Sequence, residues 1–160
     1  ETTSFFTFKS DLDDALITQH YETEDNVIPA SNSMMAKNLW QLSIYYNHTF
    51  YEKVSTSMIH KIIPNVDYPS AFSNWLDAFL NLSDQQKELA ICGKDALQFG
   101  TAFNKKYLSN SIIAATTKQS ALPFLNNRFV DDKNLFYVCQ NKTCDLPKTD
   151  FEAALKDLTS

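Results

Sequence analysis

The chain has 160 residues, of which 44% are hydrophobic and 21% charged. That balance suits a globular domain with room for a core and argues against a disordered or low-complexity chain. Its net charge of -5 withholds the basic footprint that non-specific phosphate binding needs, so nucleic acid is not an expected partner. Its 2 glycines, Gly93 and Gly100, leave no glycine-rich phosphate loop, and no apolar run approaches the ~20 residues of a membrane span.

The N-terminal elements are read as extended. Phe5-Phe6-Thr7-Phe8 and Ala15–Tyr21 are β-prone runs around the polar turn Asp11–Asp14, which predicts a β-hairpin over residues 4–28. Pro29 ends it, because proline cannot continue a central ladder. Residues 31–81 are read as helical. Ser31, Asn32 and Ser33 are good helix starters. Behind them Met35, Leu39, Leu42 and Tyr46 recur three and four apart, with Ala36, Trp40 and Ile44 widening the face. Asn47-His48 breaks this pattern, and Thr49 is the expected cap of a second helix with Phe50, Val54, Met58, Ile59 and Ile62 on its face. Pro64-Asn65 stops it. A third helix is expected from Pro69, with Phe72, Trp75, Leu76, Phe79 and Leu80 inward.

The pattern then changes. Glu88–Cys92 reads as a strand ending at Gly93, followed by a helix over 94–107. Ser111–Ala115 and Leu135–Cys139 read as further strands. Asp150 is placed to cap a last helix with Phe151, Ala154, Leu155 and Leu158 on one face. A strand–helix–strand unit predicts a right-handed crossover. The fold class is therefore mixed α and β: an N-terminal β-hairpin and antiparallel helical hairpins over residues 1–83, then a small α/β unit over 84–160.

Cys92, Cys139 and Cys144 make no disulfide framework, and one odd thiol with one close pair fits a reducing, cytoplasmic setting. The Asn-x-Ser/Thr triplets at Asn47, Asn81 and Asn141 are read as chance matches. The opening Glu1-Thr2-Thr3 is read as the interior of a longer protein, with any targeting segment upstream.

Two stretches carry a resemblance: Asp25-Asn26-Val27-Ile28-Pro29-Ala30-Ser31-Asn32-Ser33 before a helix, and Tyr137-Val138-Cys139-Gln140-Asn141-Lys142-Thr143-Cys144-Asp145-Leu146-Pro147 before the last helix. With the strand and Gly93 between them, they resemble in order and spacing the tail of the thioredoxin-domain-containing, spermatogenesis-associated protein 20-like family. The resemblance runs from about Phe5 to Leu158. It implies that an N-terminal thioredoxin-like domain lies upstream. It also implies that the helices here are the last hairpins of an α/α toroid related to six-hairpin glycosidases, so that this chain holds a partial toroid and no complete active site. The chain departs from the family pattern at Ser31, where many members carry Gly.

Asp25, Ser31, Asn32 and Ser33 are the candidate pocket residues. An Asp at the mouth of a toroid can serve as general acid or base, with Asn and Ser orienting a hydroxylated, carbohydrate-like substrate; the competing reading makes them helix caps and a turn residue. No second carboxylate for glycoside hydrolysis is evident. Cys139 and Cys144 are a candidate redox pair, against a reading as inert thiols. No metal or other cofactor is expected, because His20, His48 and His60 are scattered and a second ligand pair is missing. Gly93-Lys94 after a strand is a weak anion-site signal and more simply a tight turn. Trp40, Trp75, Tyr45, Tyr46 and Phe79 can stack on sugars but read better as core.

The expected partners are the upstream toroid and thioredoxin-like domain of the same protein. Without them, self-association is expected through a helical face that includes some of Met34, Trp40, Phe50, Trp75 and Phe79. Three roles follow: part of an enzyme-like protein acting on a polar small molecule, a protein-interaction module, or a thiol redox element. No turnover is expected from this chain by itself, and any ligand of the complete protein is expected to depend on Asp25 and Asn32 more than on His48 or His60.

Overall fold

A computed structural model of the chain describes residues 5–7, 20–82 and 86–159. These fall into two compact units, one reaching to Leu82 without Ile44–Asn47, the other made of Ile44–Asn47 and the chain from Ser83 onward. Among the described residues there are five α-helices and a four-stranded mixed sheet.

The first unit is helical. Its α1 spans Ser31–Tyr45, α2 Thr49–Ile62 and α3 Ser73–Asn81. The inward side of α1 carries part of the face that its periodicity suggests. Ala36, Leu39 and Ile44 of that face are buried, as is Ser43, whereas Leu42 and Tyr46 are exposed. At Ala36 the helices approach closely: the Ser55 hydroxyl of α2 donates to the Ala36 carbonyl at 2.7 Å. Thr49 does not cap α2 but is its first residue; His48 holds the cap position in an extended conformation. Ser55, Met58, Ile59 and Ile62 face inward as a three-and-four repeat, while Phe50 lies outside against His48 and Tyr51.

Pro64 turns the end of α2 into the 3-10 turn Ile63–Asn65, since a proline ring cannot extend an α-helix. A second such turn, Pro69–Phe72, occupies the expected start of the third helix, so α3 begins at Ser73. Of the face expected on α3, Trp75 is buried, Leu76 is half-buried, and Phe79 and Leu80 are exposed. The core joins Ala36 and Leu39 to Met58, Ile59, Ile62, Trp75 and Ala78. The expected N-terminal hairpin falls largely on residues outside the described ones; Phe5–Thr7 and residues 20–28 form no strand.

The second unit contains β1 (Lys87–Cys92), α4 (Ala96–Asn104), β2 (Ser111–Thr116), β3 (Leu135–Gln140), β4 (Thr143–Cys144) and α5 (Phe151–Thr159). The sheet order is β2-β1-β3-β4. β1 and β2 are parallel and joined through α4, while β3 is antiparallel to both β1 and β4. Parallel neighbours need such a crossover, and the antiparallel pair β3–β4 needs only a two-residue turn. Leu89 and Ile91 of β1 share one face with Val138 and Phe136 of β3. That face packs with Ala96 and Phe103 of α4 and Ala154 and Leu158 of α5. Asp150 caps α5, accepting the Ala153 amide at 2.8 Å. The opposite face carries Glu88, Ala90 and Cys92 beside Cys139, Tyr137 and Leu135, because successive strand residues alternate sides.

Candidate functional site

The structure brings Asp25, Ser31, Asn32 and Ser33 together at the start of α1. Asp25 is buried. One of its carboxylate oxygens accepts the Ala30 amide at 2.8 Å and the Ser33 hydroxyl at 2.7 Å. The other accepts the Asn74 amide at 2.8 Å. One carboxylate thus ties the residue before α1 and the Ser33 side chain to the first turn of α3, where helices leave N–H groups unpaired and favour negative charge. The buried Asn32 accepts the Phe6 amide at 2.7 Å and donates to the carbonyls of Phe6 and Glu22 at 2.9 and 3.0 Å. Ser31 donates its amide and hydroxyl to Glu22 at 2.9 and 2.7 Å, and these bonds hold the Glu22 carboxyl below the usual carboxylate range. Ser31 is a regular first helical residue, outside the left-handed region, so this backbone makes no demand for glycine there. The polar atoms of the set are therefore committed to one another and to backbone.

A second constellation lies on the face of the sheet that carries Glu88 and Cys139. Asn141 and Lys142 both have positive φ, 51° and 61°. They form a two-residue turn whose twist suits an antiparallel hairpin. This turn sets Gln140 opposite Thr143 and Cys139 opposite Cys144. The next rung is closed by the Asp145 amide donating to the Val138 carbonyl at 3.1 Å. Cys139 and Cys144 thereby occupy the close, non-hydrogen-bonded rung of the ladder. They are joined as a disulfide, with Cα atoms 3.9 Å apart.

Arg128, on the segment between β2 and β3, completes the arrangement. Its Nη1 lies 3.4 Å from the Cys139 sulfur and its Nη2 3.2 Å from the Cys144 sulfur. The guanidinium also sits over the rings of Phe124 and Tyr137, 5.1 and 5.2 Å from their centroids. The Tyr137 hydroxyl returns a hydrogen bond to the Arg128 carbonyl at 3.0 Å. Stacking and hydrogen bonding together fix the planar fork over the sulfur pair. Burial pushes the Tyr137 hydroxyl up from its ordinary value. Glu88 is buried beside them, and desolvation raises its carboxyl above the ordinary glutamate value although the Lys142 amide donates to it at 3.3 Å. Cys92 is a free, buried thiol that burial pushes up. It is four residues along β1 from the rung facing Cys139 and so is out of reach of the pair.

Gly93 ends β1 with φ 150°. Its amide bonds Thr116, and Asn134 accepts the Asp95 amide at 3.0 Å while donating to the Asp95 carboxylate at 2.9 Å. The entry to α4 is thus closed by protein groups. Among the described residues, no group of three or more His, Cys, Asp or Glu is placed to hold a metal ion, and no helix is long and apolar enough to cross a membrane.

Sequence reasoning located the two cysteines and the residues around Asp25. It missed Arg128, Glu88 and Tyr137, which reach the disulfide through strand pairing and a long connection. The available signal for the pair itself was its spacing, since two cysteines separated by four residues meet directly when the middle two form a hairpin turn.

No family model matches this chain. No solved structure matches it either. The chain is similar to spermatogenesis-associated protein 20 of Homo sapiens, 23% identical over 158 residues that cover 91% of this chain and 20% of that protein. The same protein of Rattus norvegicus matches with the same identity and the same coverage, 23% over 158 residues. The chain therefore spans about a fifth of the length of the curated relatives it matches, and its similarity to them runs along nearly all of its own length.

Proposed function

We propose that this chain acts as the C-terminal part of a larger protein of the spermatogenesis-associated protein 20 kind, and that its second unit supplies a thiol–disulfide couple, Cys139–Cys144. The observation that carries this reading is the Arg128 guanidinium within hydrogen-bond reach of both sulfurs. A disulfide that only staples a hairpin gains little from a cation. A pair that opens to thiolates gains much, because a neighbouring cation lowers a thiol's pKa and stabilises the reactive form. In the expected cytoplasmic setting disulfides are usually transient and redox-active, and the thioredoxin-like domain implied upstream is a chemically suitable dithiol partner.

The test is thiol counting on the folded chain. Dithiothreitol should open the pair and expose two alkylatable thiols, at Cys139 and Cys144, while near-ultraviolet dichroism is retained and Cys92 stays unlabelled. Reoxidation should restore the bond. Loss of tertiary structure in step with reduction would make the bond a structural staple and end this reading.

A second reading concerns the helices. Of the side chains expected on an uncovered face, Met34, Phe50 and Phe79 are exposed, Trp40 is half-buried and Trp75 is wholly buried. Earlier hairpins of a toroid in the complete protein would cover the exposed ones. Soluble monomers seldom leave large contiguous apolar patches open, so the isolated chain should self-associate there. Light scattering over a concentration series should show mass rising with concentration and falling back in a Phe50→Ser/Phe79→Ser variant; a strictly monomeric chain at high concentration rejects the toroid-flank reading. The carbohydrate-directed role draws no comparable support, because Asp25, Asn32 and Ser33 spend their polar atoms on one another, on backbone and on Asn74.

A further inference from the structure

The face of the sheet that bears the disulfide also bears a buried acid. β1 and β3 are antiparallel with Glu88 opposite Cys139. Their side chains therefore leave the sheet on the same side, with Cβ atoms ~5 Å apart by ladder geometry. Glu88 is only 4% exposed. It lines a cavity of about 120 Å³ together with Asn47, Phe124, Arg128 and Lys142, a space large enough for water. The charged groups facing it are Arg128, from the segment between β2 and β3, and Lys142, from the β3–β4 turn. From the end of α1 and the turn after it, the neutral Ile44 and Asn47 line the same cavity, and on β2 its rung partner is Ile112.

We infer that Glu88 is the proton-relay residue of the Cys139–Cys144 couple, and that Arg128 holds the thiolates the relay serves. The inference rests on the redox reading above and assigns its parts. Cys139 is 2% exposed and Cys144 is half-buried, so an incoming thiolate of a dithiol donor reaches Cys144. A bond forms between the donor sulfur and the Cys144 sulfur. The Cys139–Cys144 bond breaks, and its electron pair stays on the Cys139 sulfur beside Arg128 Nη1. Glu88, whose carboxyl desolvation pushes above the ordinary glutamate value, passes a proton from that carboxyl to this thiolate. The donor's second thiolate then attacks the donor's own bonded sulfur. This closes the donor disulfide and releases the Cys144 thiolate beside Arg128 Nη2. Water protonates Cys144 and reprotonates Glu88. The donor has lost two electrons and two protons, and the cystine has gained them.

The test uses the whole 160-residue chain with dithiothreitol as probe. Reduction rates are measured by quenched alkylation and mass spectrometry between about pH 5 and pH 9, a range spanning raised carboxyl and ordinary thiol values. Each rate is divided by the thiolate fraction of the probe. For the unaltered chain the corrected rate should fall by about tenfold as pH rises through the raised Glu88 value, a modest contribution for a general acid. Glu88→Gln keeps an acceptor for the Lys142 amide; it should give a flat profile at the level the unaltered chain reaches at high pH. Glu88→Asp keeps the acid and should keep the decline. Arg128→Gln should lower the corrected rate at every pH and leave the decline in place. A Glu88→Gln chain, folded by near-ultraviolet dichroism, that retains the decline overturns the relay. A pair that opens only on unfolding defeats the redox reading itself, a different and recognisable result.

Discussion

Trp75→Ala should lower the stability of the first unit by about 3–5 kcal/mol, the range for deleting a large buried aromatic. Trp75 is wholly buried in the core with Met58, Ile59 and Ile62. Its indole N–H donates to the Thr23 carbonyl at 2.7 Å, and its ring meets Phe5 edge-on at 6.2 Å. Truncation thus opens a cavity between α2 and α3 and also strands an acceptor. Trp75→Phe separates the two effects, because most of the volume stays while the hydrogen bond goes; it should cost about 1–3 kcal/mol. Against a typical total stability of about 5–15 kcal/mol, the alanine variant should be partly unfolded at 37 °C. Denaturant titration of both variants checks this, and a shift under about 1 kcal/mol for Trp75→Ala would show that the site collapses freely.

Gly93→Ala should be nearly as damaging to the second unit. The φ of 150° at Gly93 is one that residues with a Cβ seldom adopt, at a cost of about 1–3 kcal/mol. Space is also lacking. A Cβ at this position would run into the Lys133 carbonyl and the Asn134 side chain, and would stand 2.7 Å from the Asn134 Cα. Two of these are backbone atoms, so relief requires moving the chain that leads into β3, at a further ~1–3 kcal/mol. Moving Asn134 also disturbs its paired bonds to Asp95 at the start of α4. Thermal melting and amide exchange in β1 and α4 are the measurements. A Gly93→Ala chain with unchanged melting and exchange would falsify the claim that this turn admits only glycine. By contrast Gly100, whose added Cβ would meet Ala115 at 3.6 Å, should accept alanine.

The legible parts of the fold are those whose signals are local. β1, β2 and β3 stand out because runs such as Leu89-Ala90-Ile91-Cys92 are apolar without a helical repeat, and α5 announces itself through Asp150 and the spacing of Ala154 and Leu158. The inward side of α1 is legible in part: Ala36, Leu39 and Ile44 follow the periodicity and are buried, whereas Leu42 and Tyr46 follow it and are exposed, and the buried Ser43 carries no hydrophobic signal. β4 is not legible, because it has two residues and its turn, Asn141-Lys142, lacks the glycine that marks most such hairpins. The grouping of Asp25, Ser31, Asn32 and Ser33 is readable from sequence proximity alone. Its bond to Asn74 is not, and that bond shows how fully Asp25 is engaged. Glu88 and Arg128 look like ordinary charged residues until pairing of β1 with β3 sets Glu88 opposite Cys139 and the connection between β2 and β3 brings Arg128 to the Cys139 sulfur. Their environment is a product of long-range topology, which periodicity does not encode.

β1 is the central strand of its sheet, flanked by β2 and β3, and its residues from Glu88 to Cys92 are all buried. Its antiparallel partner begins only at Leu135. During synthesis, at about 5–20 residues per second, a nascent chain that has just exposed β1 waits seconds for the strand that seals its other edge. An apolar strand with an open edge is a template for pairing with other chains. Early in the life of each molecule, the α4 crossover and the first pairing with β2 shelter one face and one edge of β1. Variants that slow that crossover should therefore reduce soluble yield in cells beyond what their equilibrium stability accounts for, and raised chaperone capacity should recover it.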